Sequence, residues 1–293
     1  MIITIFTPTY NRGALLERLY DSLCQQDYHN LEWLIVDDGS TDNTETVISN
    51  IKDKGRPPFP IRYYRKENGG KHTAINLGVK EAKGELFFIA DSDDFLAHDA
   101  LLLLEEQWKK IEWNKNFAGL CGLDTYVNRD RIGSGLPMET IACNTMDIRY
   151  RHHVTGDLKE VFRTDILRKY PFPEIEREVF CPEQLVWFRI GQKYKLYYFN
   201  KVIYCVEYQV DGITATIVKA RMNSPVCSMM TYQEMTEYDI PFVQKIKAAI
   251  NYWRFRFCLT QSELTYPKLK YYWNLMMPIG WLMHLRDLQL IKK

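Results

Sequence analysis

The stretch "FFIADSDDFL", residues 87–96, decides how the chain is read. Phe87, Phe88, Ile89 and Ala90, preceded by Glu85 and Leu86, form a short apolar run with the look of a buried strand. Asp91, Asp93 and Asp94 then place three carboxylates within four positions. If the strand continued, Asp91 and Asp93 would face the same side. Two such charges repel unless a cation lies between them. Hard oxygen ligands of this kind suit Mg²⁺ or Mn²⁺, which takes one or two carboxylates and completes its shell with water and phosphate oxygens. The competing reading is a solvated turn in which Ser92 or Asp94 caps the next helix.

Upstream, strand and helix signals alternate. "IITIFTP" (2–8) is a β-rich run, and "GALLERLYDSLCQQ" (13–26) sets Leu15, Leu16, Leu19 and Leu23 at helical spacing. "LEWLIVDDGS" (31–40) is a second apolar run, followed by N-cap residues, and "IRYYRKE" (61–67) reads as a third strand. "HTAINLGVKEAKG" (72–84) is helical in period and leads into "ELFFIA" (85–90). This alternation predicts an α/β fold with a mostly parallel, Rossmann-like central sheet flanked by helices. Continuous apolar strands agree, since parallel strands are buried on both faces. Ligands of such sheets bind beyond the carboxyl ends of the strands. "TPTYN" (7–11), "DDGSTD" (37–42) and "DSDD" (91–94) should therefore converge on one edge.

At those ends, Asp37 and Asp38 are candidates either for an Asx turn or for a ligand-facing carboxylate. Tyr10 could stack on a base or simply pack beside Pro8. Lys71 follows two glycines at a helix start, a position open to a phosphate. The chain has neither G-x-G-x-x-G after its first strand nor G-x-x-x-x-G-K-[ST], which removes the usual dinucleotide and P-loop readings.

The 293 residues suffice for a large core, and 46% apolar with 26% charged residues is ordinary globular composition. A net charge of +1 gives no nucleic-acid signature. The seven cysteines form no C-x-x-C pair, which fits a reducing cytosol better than a disulfide framework or a zinc site. "MIITIFTPTYNR" has no basic n-region and is not read as a signal peptide, and no apolar run is long enough to span a membrane. Residues 241–293 differ from the rest: nine Lys/Arg stand against two Asp/Glu, with aromatics interleaved. That composition suits either an anionic membrane surface or a plain helical cap with basic faces.

The ordered set "TPTYNR", "VDDGSTDNT", "GGKHTAIN", "ADSDD" and "PEQLVWFR", spread within residues 3–189, resembles a family 2 glycosyltransferase of the GT-A fold, of the bacterial capsule and exopolysaccharide type. The resemblance implies a GT-A catalytic domain over 1–215, with a nucleotide-sugar half at 1–95 and an acceptor half at 96–215. A helical extension then follows at 216–293. Pro8, Tyr10, Asp38, Lys71 and Asp91 would hold the nucleotide of a UDP-type donor. Asp91 and Asp93 match the family's DxD motif for Mn²⁺ or Mg²⁺. Against Trp187 and Arg189, the catalytic base falls on Glu183, although Pro182 stands where the family usually has an acid; a shift of one would give Gln184, which cannot serve. "DLKEVFRTDIL" (157–167) corresponds to the acceptor side, with Asp157 and Arg163 as candidates. The expected enzyme works in the cytoplasm at the inner face of the plasma membrane, on a saccharide or lipid-linked acceptor. A nucleotidyltransferase, which would carry a glycine-rich basic triphosphate loop, and a non-catalytic sugar-nucleotide scaffold are the competing classes.

Overall fold

The structure is a computed structural model and describes residues 1–53, 57–128, 130–207, 216–259 and 266–291. The expected boundary at 215/216 falls at the edge of a stretch outside them. The chain divides into two compact units. The first contains Met1–Pro171 and the stretch from Arg189 through the last strand; the second contains Phe172–Phe188 and the helices from 216 onward.

The first unit opens with β1 (Ile3–Thr9), α1 (Leu16–Cys24), β2 (Leu31–Asp37), α2 (Thr44–Asp53), β3 (Ile61–Arg65), α3 (Lys71–Glu81) and β4 (Leu86–Ile89). These strands lie in the order β3-β2-β1-β4, every neighbouring pair parallel. Every residue of β1, β2 and β4 is buried, which is why their apolar residues stand on both faces, with Thr4, Thr7 and Glu32 buried among them. β3, at the edge, is only half-buried. On α1, Leu16, Leu19 and Leu23 form the buried face. Phe6 of β1 stacks on Phe87 of β4 with ring centroids 4.9 Å apart. Gly78 of α3 makes room for that stack, since a Cβ there would lie 2.1 Å from the Phe6 ring. Burying each such aromatic contributes about 1.5–3 kcal/mol.

The chain continues through β5 (Phe95–Leu96), α4 (Ala100–Lys109), β6 (Phe117–Tyr126), β7 (Thr140–Cys143), α5 (Asp147–Tyr150), β8 (Leu158–Arg163) and α6 (Thr164–Leu167). It returns through α7 (Glu183–Gly191) to the long β9 (Lys195–Val206). β8 pairs antiparallel with both β4 and β6, β9 runs parallel to β6, and β5 and β7 pair antiparallel with β9. The sheet is thus parallel through its first half and mixed through its second.

The second unit holds α8 (Ile217–Asn223), α9 (Pro225–Met235), α10 (Phe242–Arg256) and α11 (Met277–Ile291), with a 3-10 segment at Tyr271–Met276. Its core centres on Met229, Tyr252 and Phe255, and Tyr232 stacks on Phe255. Buried Glu178 caps α9, its carboxylate accepting the N–H groups of Val226 at 2.6 Å and Cys227 at 2.8 Å.

Candidate active site

The ends of β1 and β2 are stitched together by short polar side chains. Asn11, at φ 52°, accepts the N–H of Thr41 at 2.8 Å and donates its own N–H to the Ser40 hydroxyl at 2.9 Å. Asp37, wholly buried, accepts the Ser40 N–H at 2.7 Å and the Tyr63 hydroxyl at 2.9 Å. Asp37 is therefore the turn-forming acid of the pair. Pro8 is buried in β1, whereas Tyr10, just beyond the strand, is 48% exposed and offers its ring to the outside.

Asp38 is also buried, and its carboxylate organises the next loop. It accepts the N–H of Gly69 at 3.0 Å, the N–H of Gly70 at 2.7 Å and the ammonium of Lys66 at 2.7 Å. Lys66 also donates to the Thr73 hydroxyl at 2.7 Å. Gly70 sits at φ 91° as the N-cap of α3, a conformation that L side chains rarely adopt. Asp38 thus fixes the start of α3, and with it Lys71, the first residue of that helix.

Lys71 reaches across to β4 and pairs with Asp91 at 2.7 Å. β4 ends at Ile89, and Asp91–Asp94 form a turn closed by the Asp94 N–H on the Asp91 carbonyl at 3.1 Å. The strand continuation that would put Asp91 and Asp93 on one face is not present. Nor does the turn cap a helix, because β5 intervenes and α4 starts only at Ala100. Asp94 is buried and accepts the Glu207 N–H at 2.9 Å. Burial pushes the Asp91 carboxyl up, but the ammonium groups of Lys71 and Lys159 outweigh it and hold the group below its ordinary value. Burial and the neighbouring Asp91 raise Asp93, and the same two causes push Asp94 up to about 7. A half-buried acid raised by its neighbour's charge is the donor set that a divalent cation relieves, so Asp91 and Asp93 fit Mg²⁺ or Mn²⁺.

Asp157 precedes β8 at the edge where the Asp91 turn lies, because β8 runs antiparallel to β4. Arg163 is at the other end of β8, opposite Leu86, and its guanidinium engages Asp165 at 2.9 and 3.1 Å. The sheet therefore does not bring Arg163 to the acidic edge. Glu183 is the first residue of α7, half-buried, within the second unit. His152 and His153 are exposed. A separate surface group, Asp27, His98 and Asp99, is exposed.

The pattern of the sequence missed several residues around the acidic turn. Tyr204 of β9 accepts the Asp91 N–H at 2.7 Å, and the Lys159 ammonium lies 3.5 Å from the centroid of the Tyr204 ring. Arg18 of α1 donates to the Asp93 carbonyl and pairs with Glu207 at 2.6 Å. Asp124 of β6 is buried with one carboxylate oxygen unpartnered, and burial pushes it up to about 7. No local signal marks these residues, since each acts across the sheet.

Residues 4–159 match the family model described as Glycosyl transferase family 2, more than half of the chain. The chain belongs to this family. Among its curated relatives, the chain is 29% identical over 217 residues to the GalNAc(5)-diNAcBac-PP-undecaprenol beta-1,3-glucosyltransferase of Campylobacter jejuni, covering 72% of this chain and 67% of that enzyme. It spans less than half the length of the next relatives it matches. Among solved structures, S. aureus TarS 1-349 in complex with UDP-GlcNAc superposes with a TM-score of 0.65 at 20% identity, covering 96% of this chain and 79% of that one. The mannosyltransferase PcManGT from Pyrobaculum calidifontis, in complex with GDP-Man and Mn²⁺, superposes with a TM-score of 0.59 at 17% identity, covering 96% and 73%. The GT-A fold expected from the sequence is thus the fold of the family 2 enzymes it matches.

Proposed function

We propose that this family 2 glycosyltransferase moves a sugar from a nucleotide-diphosphate sugar, of UDP type, to a saccharide or lipid-linked saccharide acceptor in surface polysaccharide synthesis. The observation that carries the reading is the Asp91–Asp94 turn at the end of a central parallel strand, with Lys71 on Asp91. In this reading residues 1–95 form the nucleotide-sugar half, 96–215 the acceptor half and 216–293 an extension. Tyr10 stacks on the base beside Pro8, and Asp38 shapes the ribose side. Lys71 moves from Asp91 to the donor diphosphate.

Asp91 and Asp93 would hold Mn²⁺ or Mg²⁺. When bound, the cation neutralises charge on the leaving nucleoside diphosphate. Glu183 accepts the proton of the acceptor hydroxyl as its oxygen attacks the anomeric carbon. Asp157 contributes on the acceptor side. A single displacement needs no covalent intermediate and inverts the anomeric centre, so an α-linked UDP donor yields a β-linked product. Support comes from the relatives: the Campylobacter enzyme is named as a beta-1,3-glucosyltransferase of a PP-undecaprenol saccharide. TarS was solved with UDP-GlcNAc, and PcManGT with Mn²⁺. A lipid-linked acceptor would place the enzyme at the cytoplasmic face of the plasma membrane, in contact through residues 241–293.

The test is a donor screen across UDP-, GDP- and dTDP-sugars with Mn²⁺, run on the wild-type protein and on Glu183→Gln. Transfer from one donor class, abolished in Glu183→Gln with UDP binding unchanged, is the expected result. Nucleotide binding without turnover on any donor would favour the scaffold, and full activity in Glu183→Gln would remove that residue from the mechanism.

A further inference from the structure

The geometry of the second unit points to α11 as an interfacial membrane helix that lies in the surface of an anionic bilayer. The proposal rests on the reading above only for its biological occasion, a lipid-linked acceptor. Its physical basis is the orientation of the helix. A helix on a water-exposed surface normally buries an apolar stripe and shows polar residues. α11 does the reverse. Its buried residues are Gly280, His284 and Asp287, which are spaced four and three apart and so form one stripe. Its exposed side chains include Ile279, Trp281, Leu282, Leu285, Leu288 and Ile291.

This orientation is locked by what the buried stripe does. Asp287 forms a two-pronged ion pair with Arg254 of α10, one prong at 2.8 Å, and both side chains are largely buried. His284 Nδ1 lies 3.6 Å from the Cys258 sulfur. Gly280 lets α10 approach, because a Cβ there would fall 2.5 Å from the Trp253 Cβ. Rotating α11 to hide its leucines would leave Arg254 as a buried, unpaired charge. The apolar face therefore stays outward. The 3-10 segment ahead of it extends the same character, with Tyr271 84% and Leu275 76% exposed. Exposed apolar side chains gathered on one helix and on the segment before it mark an interaction site.

Length and charge select the occupant. Fifteen helical residues span about 22 Å, short of the roughly 30 Å hydrocarbon core. No helix of the described residues is long and apolar enough to cross a membrane, which agrees with an interfacial position for α11. Residues 241–293 carry nine Lys/Arg and two Asp/Glu, and the Asp287 charge is already spent on Arg254. Arg286 on α11 is exposed, as are Lys268 and Lys270 just ahead of the 3-10 segment. A second copy of the chain would set this positive charge against itself, whereas anionic headgroups complement it. Exposed Tyr271, Tyr272 and Trp281 are of the residue types that favour the headgroup level.

The test is flotation of the full chain with vesicles of phosphatidylglycerol and phosphatidylcholine in equal parts, and with vesicles of phosphatidylcholine alone. The wild-type protein should float with the anionic vesicles, and less as salt rises. Leu275→Asp with Leu282→Asp, both at exposed positions, should cut the bound fraction about tenfold while leaving circular dichroism unchanged. Lys268→Glu with Lys270→Glu should weaken binding to the anionic vesicles alone. Absence of flotation, or flotation undiminished in the double-aspartate variant, overturns the proposal. Sedimentation that reveals a dimer dissociated by Leu282→Asp also overturns it and assigns the face to a second copy. UDP binding by calorimetry on the same preparation separates this outcome from failure of the transferase reading.

Discussion

The backbone N–H of Asp91 donates to the phenolic oxygen of Tyr204 at 2.7 Å, joining the end of β4 to β9 across 113 positions of sequence. Arg18 and Glu207 complete the hold on the same turn: Arg18 takes the Asp93 carbonyl, and the Glu207 N–H donates to Asp94. The acidic turn is thus fixed by its backbone as well as by its charges. That matters for an acid cluster, because a loose turn would swing its like charges apart into water.

Removing the Tyr204 hydroxyl tests this hold. Tyr204→Phe strips the acceptor from the Asp91 N–H and should cost about 1–3 kcal/mol in urea unfolding. Apparent Mn²⁺ affinity in the transfer assay should fall about 10–100-fold, as for other supports of ligand side chains. An unchanged Mn²⁺ titration would mean that the turn holds its geometry without β9.

Asp93→Ala should lower metal-dependent transfer by more than about 100-fold, exceeding the effect expected of a supporting residue. Its melting temperature should not drop, because the substitution removes a carboxylate that burial and Asp91 already push toward protonation. Transfer that survives both this change and EDTA would refute the metal role.

Asp38→Ala should act mainly through α3. The Gly69 and Gly70 N–H groups and the Lys66 ammonium all lose a partner, at a cost of about 1–3 kcal/mol or more in unfolding free energy. UDP binding by calorimetry should weaken in the same variant. If binding weakens while stability is unchanged, Asp38 acts on the nucleotide and not on the loop.

The pH dependence of stability should carry the signature of Asp124, whose carboxyl is pushed up to about 7 by burial. Glu160, Asp157 and Asp94 around it raise it further, and Lys159 opposes them. An acid raised in the folded state binds its proton more tightly there. Its contribution is therefore present at low pH and lost as pH rises through about 7. Asp124→Asn should remove that loss, at most about 1.4 kcal/mol for each pH unit crossed. Urea unfolding at pH 5 and pH 8 should show a variant that gains more on the wild type at the higher value. An equal effect at both would exclude Asp124 as the titrating group.

The apolar runs of β1, β2 and β4 carry their burial on their face, because strands covered on both sides are built mostly from apolar residues. Asp91 and Asp93 were legible for a related reason, since charge directly after such a run has nowhere to go but the sheet edge. Asp37 and Asp38 show where this legibility stops. They are neighbours with the same chemistry. Yet one closes the Ser40 turn and the other holds the Gly69–Gly70 loop, a division set by which N–H groups arrive beside them. Arg163 shows the same limit from the other side, because the antiparallel direction of β8 puts it at the far end of β4 from Asp91.

By itself, then, the sequence determined the strand order's raw material, the acidic edge and the family, because each is written in local spacing and composition. The tertiary structure decided which groups meet. Tyr204, Arg18 and Glu207 reach the acidic turn from residues 75 to 113 positions away, and no periodicity records such pairings. It also decided which face of α11 looks outward. The sequence of α11 is apolar on most of its circumference, and the Arg254–Asp287 pair fixes that the stripe of Gly280, His284 and Asp287 is the one buried. The physical reason is common to both: local sequence sets which conformations are cheap, and long-range hydrogen bonds and ion pairs select among them.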